Sequence, residues 1–297
     1  MTFAIIAAVL FAFSAIFNTR ITKLMDALSA NFFRLLIACL MLGLLTAIFQ
    51  PTSFHPEASA WLLLSGAIGF GIGDIALFAA FSRIGSRLTI LINFSLGAIV
   101  GALADWLLLD DPIGLRKWLS IAVILAGLAL ALLSTKGKGL RQGSFRFGII
   151  AALIAGVGQG LGSSISRHAE PLAETSGIAI GGISQAFQRV TAGLFCLAVV
   201  CLWKRSRGMF APTTVNRATM TGWLVLAAMF GPVLGVSCFQ QSLKTLTSGE
   251  AMAVTATSPL LLIPLAYFFE GERIRTASLI GALIGVGGVI AMALIRS

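Results

Sequence analysis

The sequence has few charged residues for its length: Asp, Glu, Lys and Arg make up 11% of 297 residues. A soluble domain needs roughly 25% to present a polar surface to water, so this shortage excludes an ordinary soluble protein. The hydrophobic residues instead form blocks of about twenty, the length of a helix that crosses a hydrocarbon core of about 30 Å. Because backbone N–H groups in lipid must be satisfied within their own segment, we predict that these blocks are helices.

Residues that build common catalytic or metal sites are also scarce. The chain has two histidines, His55 and His168, and four cysteines, without the spacing of metal ligands or of a catalytic triad. No glycine-rich loop ends in Gly-Lys-Ser or Gly-Lys-Thr, which excludes ATP hydrolysis through a P-loop. We therefore expect no enzyme activity, no metal and no cofactor.

The net charge of +10 would suggest nucleic acid as the partner of a soluble protein. Here the basic residues lie in short loops between apolar blocks, so the expected partners are lipid headgroups, with no nucleic acid. The loops after the odd-numbered blocks and the opposite loops hold 14 and five Lys and Arg residues, respectively. Since basic loops are retained in the cytoplasm, this bias predicts that both termini lie outside it.

The chain is predicted to be all-α, a multi-pass protein of the cell membrane (plasma or inner membrane) with ten spans. Most linkers are short, so consecutive spans are expected to pack as antiparallel neighbours. The predicted spans are Thr2–Asn18, Ala27–Phe49, Ala60–Ser82, Leu88–Leu109, Arg116–Ser134, Phe147–Ser166, Gly177–Trp203, Thr221–Gln241, Glu250–Phe269 and Thr276–Ile295.

Weak internal repeats divide these spans into two groups of five, in residues 1–135 and 144–297. Short echoes recur in the same order: Phe33-Arg34 with Gln188-Arg189, Phe70-Gly71 with Phe230-Gly231, and Gly127 with Gly287. A repeat with an odd number of spans forces the second half to enter the membrane from the opposite side. The sequence therefore predicts two inverted five-helix repeats, an architecture that suits transport by alternating access.

Several short motifs give the sequence a family resemblance. They are Phe269-Glu270-Gly271-Glu272 before a glycine-rich last span (Gly281 to Gly288), Ser258-Pro259, and an arginine in the second span of each half. With these features the chain resembles the drug/metabolite transporter superfamily, in its ten-helix form with two EamA-type repeats. The resemblance implies an exporter or exchanger of metabolites with a central cavity between the halves. It also implies cytoplasmic termini, in conflict with the charge bias.

Asp74 lies near the middle of the third span, where an ionised side chain needs a partner or a cavity. Phe70 and Phe78 lie four residues to either side and share its helical face. Desolvation in such a setting favours the protonated carboxyl, which suits a proton-coupling group or a counter-ion for a substrate amine. Alternatively, Asp74 caps a helix that breaks in the glycine-rich stretch 69–73.

Arg189 lies well inside the seventh span, one turn from Gln185. It could neutralise a carboxylate or phosphate of the substrate, or it could simply pair with Asp74. Its counterpart Arg34 lies nearer a membrane face and could extend its side chain to the lipid headgroups.

Further polar residues lie along the inner spans. Gln159 and Ser163 share one side of the sixth span, and Asn93 lies on the fourth. These faces could line a pathway or, with their glycines, could serve close helix packing. Gln240 belongs to a polar strip that marks either a gate or the end of a span. The predicted substrate and proton pathway comprises Asp74, Asn93, Gln159, Ser163, Gln185, Arg189 and Gln240.

The sequence thus favours a secondary active transporter, an exporter or exchanger, that moves a small metabolite by alternating access. An amino acid or another zwitterion is the candidate substrate, with protons as the coupling ion, and the protein is expected to be a monomer or a homodimer. The alternatives are a membrane-embedded enzyme that modifies lipids and a membrane receptor that does not transport.

Overall fold

The structure, a computed structural model, describes residues 1–51, 54–133, 145–206, 217–258, 260–261 and 276–295. In these ranges the regular elements are helices, and no strand is present. The helices are α1 (Thr2–Leu24), α2 (Ala27–Phe49), α3 (Pro56–Gly85), α4 (Leu88–Leu109), α5 (Leu115–Leu133), α6 (Phe145–Glu174), α7 (Gly182–Ser206), α8 (Ala218–Leu243), α9 (described over Ser248–Thr255) and α10 (Thr276–Leu294). This all-α architecture confirms the predicted fold.

Seven of these helices, α1 to α4 and α6 to α8, are long and apolar enough to cross a membrane. Large apolar side chains point away from the bundle, as Leu40, Leu44 and Leu283 do, each more than 60% exposed. In water such a surface would aggregate, but in a bilayer it meets acyl chains of the same polarity. The exposed residues therefore mark the lipid-facing surface of a polytopic membrane protein.

Local signals set several helix boundaries. The Asp26 side chain accepts hydrogen bonds from the backbone N–H groups of Leu28 and Ser29, both at 3.1 Å, and so caps α2. Thr247 and Glu250 form a reciprocal capping box at the start of α9. At Gly85 a φ of +75° separates α3 from α4, a conformation that glycine adopts without steric cost.

Three helix ends differ from the predicted ones by about five residues or more. Helix α1 runs six residues beyond Asn18, and α6 continues past Ser166 to Glu174, since its polar last turns carry ion-paired side chains. Helix α7 begins at Gly182 instead of Gly177, because the chain is not helical over residues 178–181. These residues are apolar, and hydropathy alone does not distinguish them from a helix.

The third helix of each half contains one π-helical segment, Ala67–Gly73 in α3 and Met229–Val233 in α8. These segments contain the echoed pairs Phe70-Gly71 and Phe230-Gly231. Each π segment widens the helix locally and re-aims the side chains that follow, as is common at functional sites. The repeat seen in the sequence is therefore a repeat of backbone geometry.

In the described ranges each half contributes five helices, α1–α5 and α6–α10, and the two halves are inverted repeats. They meet along α4 and α6, where glycines allow close approach: a Cβ added at Gly160 would lie 2.7 Å from the Gly97 carbonyl oxygen. A second glycine contact joins α5 and α10, where a Cβ at Gly127 would lie 2.9 Å from Gly285 Cα. Small residues at such contacts drive helix packing in lipid.

Candidate functional site

A cavity lies between the two halves. Its volume is about 90 Å³, on a measure in which one water molecule needs about 10–15 Å³. Residues from both halves line it, and they are Phe11, Ser14, Ala15, Asn18, Arg34, Phe70, Asp74, Leu77, Phe81, Ile90, Asn93, Phe94, Gln159, Arg189, Gly231, Pro232, Val236, Phe239 and Met252. The space suits a small solute and a few water molecules.

The Asp74 carboxylate forms an ion pair with Arg34 inside this cavity. Arg34 Nη2 donates to Asp74 Oδ2 and, at 2.8 Å, to Asn31 Oδ1. From the other half, Gln159 Nε2 donates to Asp74 Oδ1 at 3.0 Å. Both carboxylate oxygens are therefore engaged, one by each half of the protein.

Arg34 does not extend its side chain to the lipid headgroups, the possibility that the sequence left open for it. Its side chain is 5% exposed and points into the bundle. Arg34 lies seven residues after the start of α2, about 10 Å along the helix axis, so the headgroups are out of reach. Its guanidinium carbon lies 4.8 Å from the centre of the Phe78 ring, a cation–π contact that adds to the ion pair.

Asp74 follows the π segment of α3 directly, and the helix continues through it. No side-chain capping bond is present there, so Asp74 does not cap a broken helix. Nor does it pair with Arg189, as one interpretation of the sequence held. Its ion-pair partner is the arginine of its own half.

Arg189 is 2% exposed, and no carboxylate of the described residues lies within ion-pair distance of it. Its Nη1 donates to Gln240 Oε1 at 2.7 Å, and its guanidinium lies over Phe70, 5.4 Å from the ring centre. Its Nε has no hydrogen-bond partner in the described part of the chain. Arg189 thus brings to the cavity a positive charge that has no ion-pair partner among the described residues.

The two arginines are arranged with approximate symmetry. Arg34 of α2 packs against the π segment of the second half, where a Cβ at Gly231 would lie 3.3 Å from its Nη1. Arg189 of α7 packs against the π segment of the first half, where a Cβ at Gly69 would lie 3.1 Å from its Nη2. Glycine at both places gives the guanidinium groups the room they occupy.

Four of the seven predicted pathway residues line the cavity, and these are Asp74, Asn93, Gln159 and Arg189. Ser163, Gln185 and Gln240 lie behind them. Gln240 is fully buried, so it lies at neither a mouth nor a helix end in water; its Nε2 donates to Ser166 Oγ and, at 3.2 Å, to Gln185 Oε1. Ser163 Oγ donates to the Gln159 carbonyl at 2.7 Å.

Sequence reasoning missed the contribution of α1. Ser14 and Asn18 lie one turn apart on its inner face and line the cavity. The Oδ1 atoms of Asn18 and Asn93 have no hydrogen-bond partner among the described residues. The four-residue spacing of Ser14 and Asn18 was the signal available, but the predicted first span ended at Asn18.

One side of the bundle is closed by ion pairs, which we call the ionic clasp: Arg167 with Asp105 and Asp111, Lys117 with Glu250, and Lys244 with Glu170. Arg167 and Glu250 belong to the second half, and their partners belong to the first. The acids Asp105, Asp111, Glu170 and Glu250 all take part in this clasp, whereas Glu270 and Glu272 lie outside the described residues.

Each acid of the clasp has a basic partner, and no group of His, Cys, Asp and Glu residues in the described ranges could hold a metal ion. Asp105 is fully buried and also accepts hydrogen bonds from Ser248, from N–H at 2.6 Å and from Oγ at 2.9 Å. It thereby joins the end of α4 to the start of α9.

Comparisons with known proteins bear on both halves of the chain. Residues 1–133 and 146–294 each match the sequence profile of the EamA-like transporter family. A solved crystal structure, whose title describes it only as a protein, superposes with a TM-score of 0.74 at 15% identity, over 99% of this chain and 97% of that chain. This likeness concerns the fold alone. No curated protein matches the sequence significantly.

Proposed function

Because the chain belongs to the EamA-like transporter family, we propose that it is a secondary active transporter of a small metabolite. The cavity is the substrate site, and the two halves expose it to each side of the membrane in turn. The observation that carries this proposal is the buried group of Arg34, Asp74 and Arg189 between the two inverted repeats. A charge in the middle of a membrane costs about 2.5–3.5 kcal/mol on insertion scales, so such residues are typically functional.

Asp74 is the proposed coupling residue. It is the one acid among the described residues that line the cavity, and it is bound by both halves, through Arg34 and Gln159. Protonation removes the attraction that holds Arg34, so the occupancy of one proton site alters contacts in both repeats. A group of this kind can link a proton to the exchange between two access states.

The ionic clasp supplies the second element that alternating access requires, a closure on one side. Two of its ion-paired clusters cross between the halves, so opening this side must separate them. The cavity residues of α1 and α3 lie toward the other side of the bundle, where these helices end at Leu24 and Gly85.

The amino-acid or zwitterion hypothesis needs revision at the ammonium end. It assigned the substrate ammonium to Asp74, yet Arg34 occupies that carboxylate. A zwitterion would have to displace Arg34 before its ammonium could bind. A lipid-modifying enzyme would use acids that are free to react, whereas the acids of the clasp are all ion-paired.

The test is flux into liposomes that contain the purified protein, with an imposed pH gradient and a pool of cell metabolites outside. We expect compounds to accumulate inside only when the protein is present, and the accumulation to follow the pH gradient. Asp74→Asn should retain exchange but lose its dependence on the gradient.

Asp110→Asn is the matched control, because it removes the same charge from an exposed residue whose φ of 50° suits asparagine. It should behave like the unaltered chain. Flux equal to that of empty liposomes would reject the transporter function and favour a receptor. Unchanged pH dependence in Asp74→Asn would reject only the coupling role.

A further inference from the structure

We propose that the cavity binds its substrate as a singly charged anion, a carboxylate held by Arg189; this inference rests on the transporter function proposed above. The observation behind it is the unequal pairing of the two buried arginines. Arg34 has a carboxylate partner in Asp74, whereas the hydrogen-bond partner of Arg189 within the described ranges is the neutral amide of Gln240.

The charges of the lining residues favour an anion over the other substrate classes. Arg34, Asp74 and Arg189 together leave one positive charge, and the remaining polar lining residues, Ser14, Asn18, Asn93 and Gln159, are neutral. A monoanion brings the net charge of the cavity to zero. A zwitterion leaves the excess unchanged, and a cation doubles it, which is unfavourable beside two buried arginines. A doubly charged phosphate ester would leave the cavity with a net negative charge.

The geometry of Arg189 fits a carboxylate. Its guanidinium carbon lies over the Phe70 ring, and Nη1 donates to Gln240, so the group is oriented before any ligand arrives. The Nε–H donor is buried and has no partner among the described residues. Guanidinium groups bind planar carboxylates through two parallel hydrogen bonds, so a carboxylate is the anion that matches Arg189.

The rest of the lining indicates the body of the ligand. Phe11, Phe81, Phe94 and Phe239 contribute aromatic surface from four different helices. The volume of about 90 Å³ leaves space for a small body only. The proposed ligand is therefore a carboxylate with a small apolar or aromatic group.

The experiment measures thermal unfolding of the purified protein in detergent with matched compounds. Benzoate, its uncharged amide benzamide and the cation benzylamine share one ring and differ in charge, and acetate and propionate extend the series to smaller bodies. A ligand that binds only the folded protein raises the unfolding temperature, and the rise grows with the logarithm of its concentration once this exceeds the dissociation constant. We expect this rise with at least one of the three carboxylates and with neither benzamide nor benzylamine.

Two variants locate the effect. Arg189→Gln should weaken carboxylate binding at least tenfold, and Arg189→Lys should retain part of it because the charge remains. Arg83→Gln is the control, since Arg83 lies over Phe147 outside the cavity lining, and it should bind like the unaltered chain. The comparison of compounds on the unaltered chain does not depend on the folding of any variant.

Equal stabilisation by benzamide or benzylamine, no effect of any carboxylate, or full carboxylate binding by Arg189→Gln would each overturn the proposal. Flux of a cation or zwitterion without carboxylate binding would remove the anion class and leave the transporter function intact. Carboxylate binding without any flux in liposomes would support the anion site and reject the transporter function.

Discussion

Replacing Asp105 with asparagine should loosen the ionic clasp and shift the protein toward the state in which that side is open. Asp105 is fully buried, pairs with Arg167 at 3.2 Å and holds Ser248 through two hydrogen bonds. Through these contacts Asp105 links α4 of the first half to both α6 and α9 of the second half. Asparagine has nearly the same shape, so the change removes charge and leaves packing in place.

The expected change in free energy follows from the charged hydrogen bonds of Asp105 that asparagine cannot make. Hydrogen bonds to a charged group are worth about 1.5–3 kcal/mol each, and the amide oxygen can still accept one bond from Ser248. Arg167 keeps Asp111 as a second partner, so it is not left as an unpaired buried charge. We therefore expect a loss of roughly 2–3 kcal/mol from the closed state, which is about a 30- to 150-fold shift in the equilibrium.

Asp111→Asn is the matched control because it contacts the same arginine. The Asp111 side chain is 42% exposed, and ion pairs at such places contribute about 0–1 kcal/mol. Its effect on the equilibrium should therefore be roughly fivefold at most.

Labelling of a single cysteine measures the shift. Ser166→Cys is introduced into a chain whose native cysteines are replaced, and these are Cys39, Cys196, Cys201 and Cys238. Ser166 is 1% exposed and adjoins Arg167 in α6, so a thiol reagent reaches it from this side only after the clasp opens. Faster labelling in Asp105→Asn than in Asp111→Asn is expected. Equal rates in the two variants would refute the closing role of the clasp.

Two further predictions concern stability in detergent, both measured by thermal unfolding. Gly160→Ala should destabilise the protein by about 1–3 kcal/mol because the added methyl overpacks the contact with Gly97. Its control is Gly222→Ala, which places the methyl in open space and should be neutral or stabilise the protein by up to about 1 kcal/mol. Similar shifts of the unfolding temperature in the two variants would contradict the contact. Arg34→Gln should destabilise by roughly 3–5 kcal/mol by orphaning Asp74, and adding Asp74→Asn should recover most of it. Additive losses would contradict that ion pair.

The sequence predicted the helices well because lipid leaves few alternatives. Ala27–Phe49 and Leu88–Leu109 have the predicted bounds, since a polar residue or a glycine stands at each change of environment. The predicted helix ends were wrong where the hydropathy of a segment does not match its backbone hydrogen bonding. Residues 178–181 are apolar yet not helical, and the last turns of α6 are polar yet helical.

The site was only partly predictable, because the polarity of a residue can be read from sequence but its partner cannot. Asp74 and Arg189 stood out as charges inside apolar spans, and both line the cavity. The choice of Arg34 as the partner of Asp74 depends on how α2 and α3 pack. Asp105 went unnoticed because it precedes Trp106 near a span end, where a carboxylate ordinarily meets water.

The repeat explains why one buried charge remains for a ligand. Symmetry gives each half an arginine on its second helix and a π segment on its third, and each arginine packs against the π segment of the other half. The residue after the first π segment is Asp74, which turns inward to Arg34. The residue after the second is Leu234, which is apolar and 41% exposed, so the second half offers Arg189 no carboxylate there. An approximately symmetric scaffold thus yields one neutralised arginine and one available arginine, and a substrate anion is the partner that would complete the pattern.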